Sequence, residues 1–342
     1  MSARESIIPV FVPHLGCPNN CVFCNQRRIS GSQQPATADT VKEAILQAAA
    51  LLPKGAKRQL AFYGGSFTAI PVEDQCRLLE SAKEYIDSGE ISSIRLSTRP
   101  DAIDEAVLER LKFYGVETIE LGAQSLCDDV LRLSGRGHSA KSVEDASRLI
   151  KQAGFKLILQ MMTGLPGDSL ERSIETAEKI IALKPDGVRI YPTVIVRDTA
   201  LYDMWQAGKY PEHSVEEAVS FCAKLLPIFE KADIPVIRLG LNPTEELSGG
   251  AAAAGAYHPA LGELVKSRIM YEKACELLKD VPKESRVILS VHSSKVSQMT
   301  GQRRANVDAL CREFSLTALK ILGNAEKTEE ITVVSVEKAS DL

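Results

Sequence analysis

Six short apolar runs, at 7–13, 59–65, 94–100, 118–125, 155–162 and 187–193, stand along the first 193 residues with amphipathic stretches between them. The runs (IIPVFVP, QLAFYGG, IRLSTRP, TIELGAQS, FKLILQMM and GVRIYPT) are apolar without clean alternation, the mark of strands covered on both faces. The stretches Thr40–Leu52, Val72–Ser88, Ala102–Tyr114, Ser142–Ala153 and Ser169–Leu183 read as crossover helices. Repeated strand–helix units predict an α/β fold with a parallel sheet. Six of them in about 190 residues favour a partial or near-complete (β/α) barrel over a doubly wound sheet. Nearly every run ends in glycine or polar residues: GG, STRP, GAQS, MTGLPG, YPT. In a barrel these ends converge at one mouth, where the chemistry sits.

After Tyr191 the rhythm loosens. A helical stretch containing LYDMWQAG and the helix Glu216–Lys231 lead to a seventh strand, IPVIRLGL at 234–241. Residues 246–262 begin as a flexible glycine- and alanine-rich segment, a candidate lid or internal boundary. Beyond it come a helix at Lys266–Leu278, a strand at 286–292, a helix at Val307–Leu322 and a strand at 330–337. This pattern divides the chain into a barrel core, 1–240, and a β-α-β extension, 241–342, that closes or flanks the barrel and is a candidate substrate-binding part. A chain of 342 residues, 44% hydrophobic and 25% charged, has the composition of a soluble globular protein. MSARESIIPV lacks the features of a signal peptide, and no stretch of eighteen apolar residues occurs. A cytoplasmic protein without a membrane span is expected. Its formal charge of -4 gives no bulk attraction to nucleic acid.

HLGCPNNCVFCNQRRISG, directly after the first strand, places Cys17, Cys21 and Cys24 in the pattern C-x3-C-x2-C. The other five cysteines are scattered singly and read as reduced, buried small hydrophobes. Core packing explains poorly three thiols in a loop of Pro18, Asn19, Asn20 and Asn25. A structural zinc site requires a fourth ligand, which His14 could supply. Soft thiolates on a short loop also suit an iron–sulfur cluster, in which three ligands for four irons leave one iron open.

With Phe23 as the aromatic, C-P-N-N-C-V-F-C resembles the C-x3-C-x-aromatic-C signature of the radical S-adenosylmethionine (SAM) enzymes. It also sits after the first strand of a βα barrel, as in that superfamily. The resemblance implies that Cys17, Cys21 and Cys24 hold a [4Fe–4S] cluster whose fourth iron chelates the amino and carboxylate groups of S-adenosylmethionine. Reductive cleavage of that molecule to methionine and a 5′-deoxyadenosyl radical is then the implied reaction, with an external electron donor of the flavodoxin or ferredoxin type. Gly64 and Gly65 stand where the superfamily has a GGE-like motif that meets the methionine amino group through its backbone; Ser66 replaces the acid. Ser97 stands where a glutamate is frequent, near the amino or ribose groups. Gln124 and Arg136 match a Gln…Arg pair for the ribose and the methionine carboxylate, with His138 as a loop-orienting or substrate residue. Gln160 falls where a polar residue faces the ribose. The IYPTVIV segment, with Tyr191, offers its backbone to the adenine edge.

From about Ile8 to Tyr210, including YPTVIVRDTALYDMWQAGKY, the chain is similar to the Elp3-like group of that superfamily, without the acetyltransferase domain. The similarity implies action on RNA, with tRNA as the substrate. Lys295, Arg303 and Arg304, in HSSKVSQMTGQRRANVDALCREF, are the candidate phosphate contacts. The alternatives are a radical SAM enzyme acting on a small metabolite or tetrapyrrole-like molecule, and a non-catalytic zinc module that binds RNA or a protein.

Overall fold

The computed structural model describes residues 6–12, 16–17, 21–30, 36–51, 57–326 and 331–338. Packing divides it into two compact units, one formed by residues 1–218 and 225–259 and the other by 219–224 and 260–342. Residues 241–259, placed with the extension on sequence, thus pack with the first unit.

The first unit is built on seven parallel strands in the order β1-β2-β3-β4-β5-β6-β8. They are β1 (Ser6–Phe11), β2 (Arg58–Tyr63), β3 (Ser93–Thr98), β4 (Val116–Gln124), β5 (Lys156–Thr163), β6 (Gly187–Pro192) and β8 (Val236–Leu239). In β2 five of six residues are buried, as the unbroken apolar run anticipates for a sheet covered on both sides. The sheet curls into a partial barrel around a cavity of about 490 Å³. Alternate residues of one strand line it, such as Ile7, Pro9 and Phe11 of β1 or Glu120, Gly122 and Gln124 of β4, because side chains alternate between faces.

The outer helices are set by caps and stripes. Ser139 caps Ala140–Gln152, which buries Val143, Ala146, Ser147 and Ile150 at helical spacing. Ser169 caps Leu170–Ala182; Asp168 instead accepts from Gly164 N and Ser173 Oγ, 2.8 Å each, and braces the GLPG turn. The segment at 246–262 is more ordered than its composition suggests. A turn at Leu247–Ala251 leads into β9 (Ala252–Gly255), which pairs antiparallel with β7 (Val194–Val196).

The second unit holds a three-stranded sheet, with β10 (Ser285–His292) between β11 (Ala318–Asn324) and β12 (Ile331–Lys338). Its core gathers Met270, Leu278, Val287, Leu289, Val291 and Leu310. The expected helix Val307–Leu322 is corrected here: the helix is Ala305–Glu313, a turn follows at 314–317, and Ala318–Leu322 lie in β11. Ser315 adopts a left-handed φ of 52°, which ends the helix without glycine or proline to announce it. The scattered cysteines also depart from expectation. Cys222 alone of the five is fully buried; Cys76, Cys275 and Cys311, on helices, and Cys127, at the N-cap of Asp128–Leu133, are half-buried. No helix among the described residues is long and apolar enough to cross a membrane.

Candidate active site

The ends of six of the seven strands and the loop after β1 meet at the cavity. Cys17, Cys21, Cys24, Phe23, Gly64, Gly65, Ser97, Gln124, Arg136, Gln160 and Tyr191 all line it. The cysteine loop is pinned from outside. Val22 N donates to Ser134 O (3.1 Å), and Leu201 N to Val22 O (2.7 Å). Phe23 is buried in a cluster with Val130, Leu165, Ile195, Leu201 and Tyr210, against which Cys21 and Cys24 pack. Arg28 closes the outer edge with an ion pair to Asp198, Nη2 to Oδ2 2.6 Å.

Burial, and then the neighbouring Cys21, push the Cys17 thiol up, while Arg99, Arg136 and Gln26 pull against them. The same two effects raise Cys24 to about 12. A metal bound there would take its cysteine ligands as thiolates. Among the described residues no three Cys, His, Asp or Glu side chains converge on a single ion position. Three soft thiol donors lining one cavity are the donor type that an iron–sulfur cluster takes. The donor set therefore fits a [4Fe–4S] group. His14 lies outside the described residues.

Arg136 is the hinge of the site. Nη1 donates to Cys21 Sγ (3.4 Å), Nη2 to Gly122 O (2.6 Å) and Nε to His138 Nε2 (3.1 Å). Its carbonyl accepts from Arg99 Nη2 (3.2 Å), whose guanidinium grips Asp101 through two further bonds of 2.7 and 2.8 Å. Burial alone would raise the Asp101 carboxyl, yet Arg99 outweighs it and holds the group below the usual range. A Cβ on Gly122 would stand 3.0 Å from Gln124 Nε2 and 3.3 Å from Arg136 Nη2, so a side chain there crowds both. Gln124 itself adopts a left-handed φ of 65° at a register shift in β4, and accepts from Gln160 Nε2 at 3.3 Å. A non-glycine residue held there is strained, as is common at binding sites.

Gln26, which motif reasoning passed over, ties the loop to the β2 turn. Its Oε1 accepts from Gly65 N (2.6 Å) and its Nε2 donates toward Cys17 Sγ (3.9 Å). Gly64 and Gly65 both have left-handed φ, 76° and 60°. Ser66 is buried and knits β2 to β3 through Thr98 Oγ1 (3.0 Å) and Arg99 N (3.2 Å). The cavity floor was also missed: Tyr63, Glu120 and Arg189 line it, and no local motif marks them. Lys295, Arg303 and Arg304 lie in the second unit, between β10 and β11. Arg303 and Arg304 are exposed and left-handed, with φ of 51° and 66°.

Residues 11–180 match the family model of the radical SAM superfamily, and residues 185–271 match the Radical_SAM C-terminal domain. Elongator complex protein 3 of Homo sapiens is 30% identical over 234 residues, 62% of this chain and 42% of that protein. The protein of the same name from Saccharomyces cerevisiae is 31% identical over 192 residues, 50% of this chain and 34% of that one. The chain thus spans less than half the length of either relative. In fold it is similar to the archaeal Methanocaldococcus infernus Elp3, with TM-score 0.62 and 23% identity over 83% of this chain and 70% of the other.

Proposed function

Because this chain belongs to the radical SAM superfamily, in its Elp3-like group, and is an enzyme, we propose that it cleaves S-adenosylmethionine reductively and uses the radical to modify RNA. The observation that carries this reading is the meeting of Cys17, Cys21, Cys24, Arg136 and the Gly64–Gly65 turn on one cavity. Cys17, Cys21 and Cys24 would hold a [4Fe–4S] cluster, which when bound would supply the electron for reductive cleavage of S-adenosylmethionine.

The chain's own residues bind and orient. The doubly left-handed Gly64–Gly65 turn brings backbone, bare of Cβ, to the cavity, and Gln26 fixes its orientation through the Gly65 N–H. Arg136 offers a planar cationic fork beside Cys21, suited to the methionine carboxylate. Gln124 and Gln160, already bonded to each other, present amides that both donate and accept, as ribose hydroxyls require. Phe23, packed in its apolar cluster, keeps water from the thiol side of the site. An external flavodoxin- or ferredoxin-type donor provides the electron.

RNA, and tRNA within it, is supported by the similarity to the Elp3 group, which runs through YPTVIVRDTALYDMWQAGKY beyond the cofactor machinery. Anaerobically reconstituted protein with dithionite and S-adenosylmethionine should release 5′-deoxyadenosine, and Cys21→Ala should abolish release. Stoichiometric zinc with no visible absorption after anaerobic purification would sink the reading. For the substrate, co-purifying tRNA that stimulates cleavage is expected; stimulation by a small metabolite instead would overturn the RNA assignment.

A further inference from the structure

The floor of the cavity holds an ionic cluster that the cofactor reading leaves unused. The Glu120 carboxylate, 3% exposed, accepts at Oε1 from Arg95 Nη1 (2.9 Å), Arg189 Nη2 (3.0 Å) and the Tyr63 hydroxyl (3.1 Å). Its Oε2 lies 2.7 Å from Arg189 Nε. Both oxygens are therefore engaged. The Tyr63 hydroxyl also accepts from Arg189 Nη2 at 2.9 Å. What remains faces the cavity: Arg189 Nη1 makes a long 3.4 Å bond to the Tyr191 hydroxyl, which accepts it and keeps its own proton to donate.

Charge points the same way. Among the described residues Glu120 is the one carboxylate lining the cavity, against Arg99, Arg136 and Arg189. Arg99 is answered by Asp101, and Arg136 faces the cysteine thiols. Arg95 and Arg189 share Glu120, so one positive charge stands in excess in a setting nearly closed to water. A buried charge without a counter-charge is costly, and an arriving anion relieves it. Across from it Ile7, Pro9 and Phe11 of β1 form an apolar wall, with Ile7 41% exposed.

We propose that this floor is a subsite for a small carboxylate-bearing co-substrate, bound apart from the RNA phosphates, whose carboxylate takes hydrogen bonds from Arg189 Nη1 and the Tyr191 hydroxyl while its carbon skeleton lies against the β1 wall. The assignment rests on the cavity being the active site. A carboxylate, singly charged, matches the one excess charge of Arg95 and Arg189 over Glu120; phosphate, near two charges at neutral pH, exceeds it.

The test titrates ¹³C-acetate into the full chain, cluster reconstituted and S-adenosylmethionine present to fill the cofactor region, followed by ligand-observed NMR. Saturable millimolar binding is expected, weakened about tenfold or more by Arg189→Met and about threefold or more by Tyr191→Phe. Acetamide, of the same shape without charge, and inorganic phosphate should each bind about tenfold more weakly than acetate. If Arg189→Met does not fold, Tyr191→Phe and the acetate–acetamide comparison still decide. Equal acetate binding by Tyr191→Phe and the parent chain overturns the proposal. So does the lack of saturable binding in protein that releases 5′-deoxyadenosine. Tighter phosphate than acetate overturns the carboxylate assignment. Acetate bound without 5′-deoxyadenosine release overturns the cleavage reading and leaves the anion site standing.

Discussion

His138 shows how one side chain acts through another. Its Nε2 accepts from Arg136 Nε, and its Nδ1 faces Ser139 O at 3.3 Å, so the neutral tautomer with the proton on Nδ1 satisfies both. Burial, and then the Arg136 charge, push its pKa down to about 4. Between that value and the unfolded value of about 6.5 the unfolded chain holds a proton that the folded chain lacks. Stability from this group is therefore full above about pH 6.5 and is lost as pH falls toward 4, on the order of 3 kcal/mol. His138→Gln should flatten the decline in melting temperature on acidification; an unchanged profile would remove this role. Gln26→Ala removes the partner of Gly65 N–H, at a cost of about 1–2 kcal/mol. It should weaken S-adenosylmethionine binding about tenfold and shift the cluster's midpoint potential, read by equilibrium dialysis and redox titration.

At the scale of elements, the segment from β7 through the helix Ala200–Gln206 is a buttress for the cysteine loop. Leu201 is fully buried, packs in the cluster with Phe23, and its backbone N–H holds Val22. Leu201→Ala should cost about 2–5 kcal/mol and lower the iron bound per chain after reconstitution, although Leu201 itself does not line the cavity. Thermal melts and iron assays check both. Gly164 is a tighter constraint: a Cβ there would lie 2.2 Å from the His213 ring, at a φ of +72°. Gly164→Ala should displace His213 from Thr163 Oγ1, now 3.2 Å away, and loosen the GLPG turn, seen as faster hydrogen exchange of that loop.

Across the whole molecule, the barrel unit carries the proposed cofactor site and the other unit carries the exposed Arg303 and Arg304. If these arginines meet phosphates, the double substitution Arg303→Ala/Arg304→Ala should reduce the slope of log affinity for tRNA against log salt by about one to two. An unchanged slope would take them out of the RNA surface. The sequence by itself determined the barrel rhythm, the cysteine motif and the glycine turn, because each is written within a few neighbouring residues. Hydrophobic period, caps and motif spacing are local signals. Only the tertiary structure decided what distant residues do to one another. Arg189 meets Tyr63 across 126 positions and Glu120 across 69, and Arg136 reaches Cys21 across 115. The end of the helix at Ser315 was hidden for the same reason: amphipathic spacing continues past it, and sheet pairing with β10 overrides that local preference. A floor of two arginines around one glutamate has no sequence signature, because its stability comes from charges that meet only once the sheet has curled.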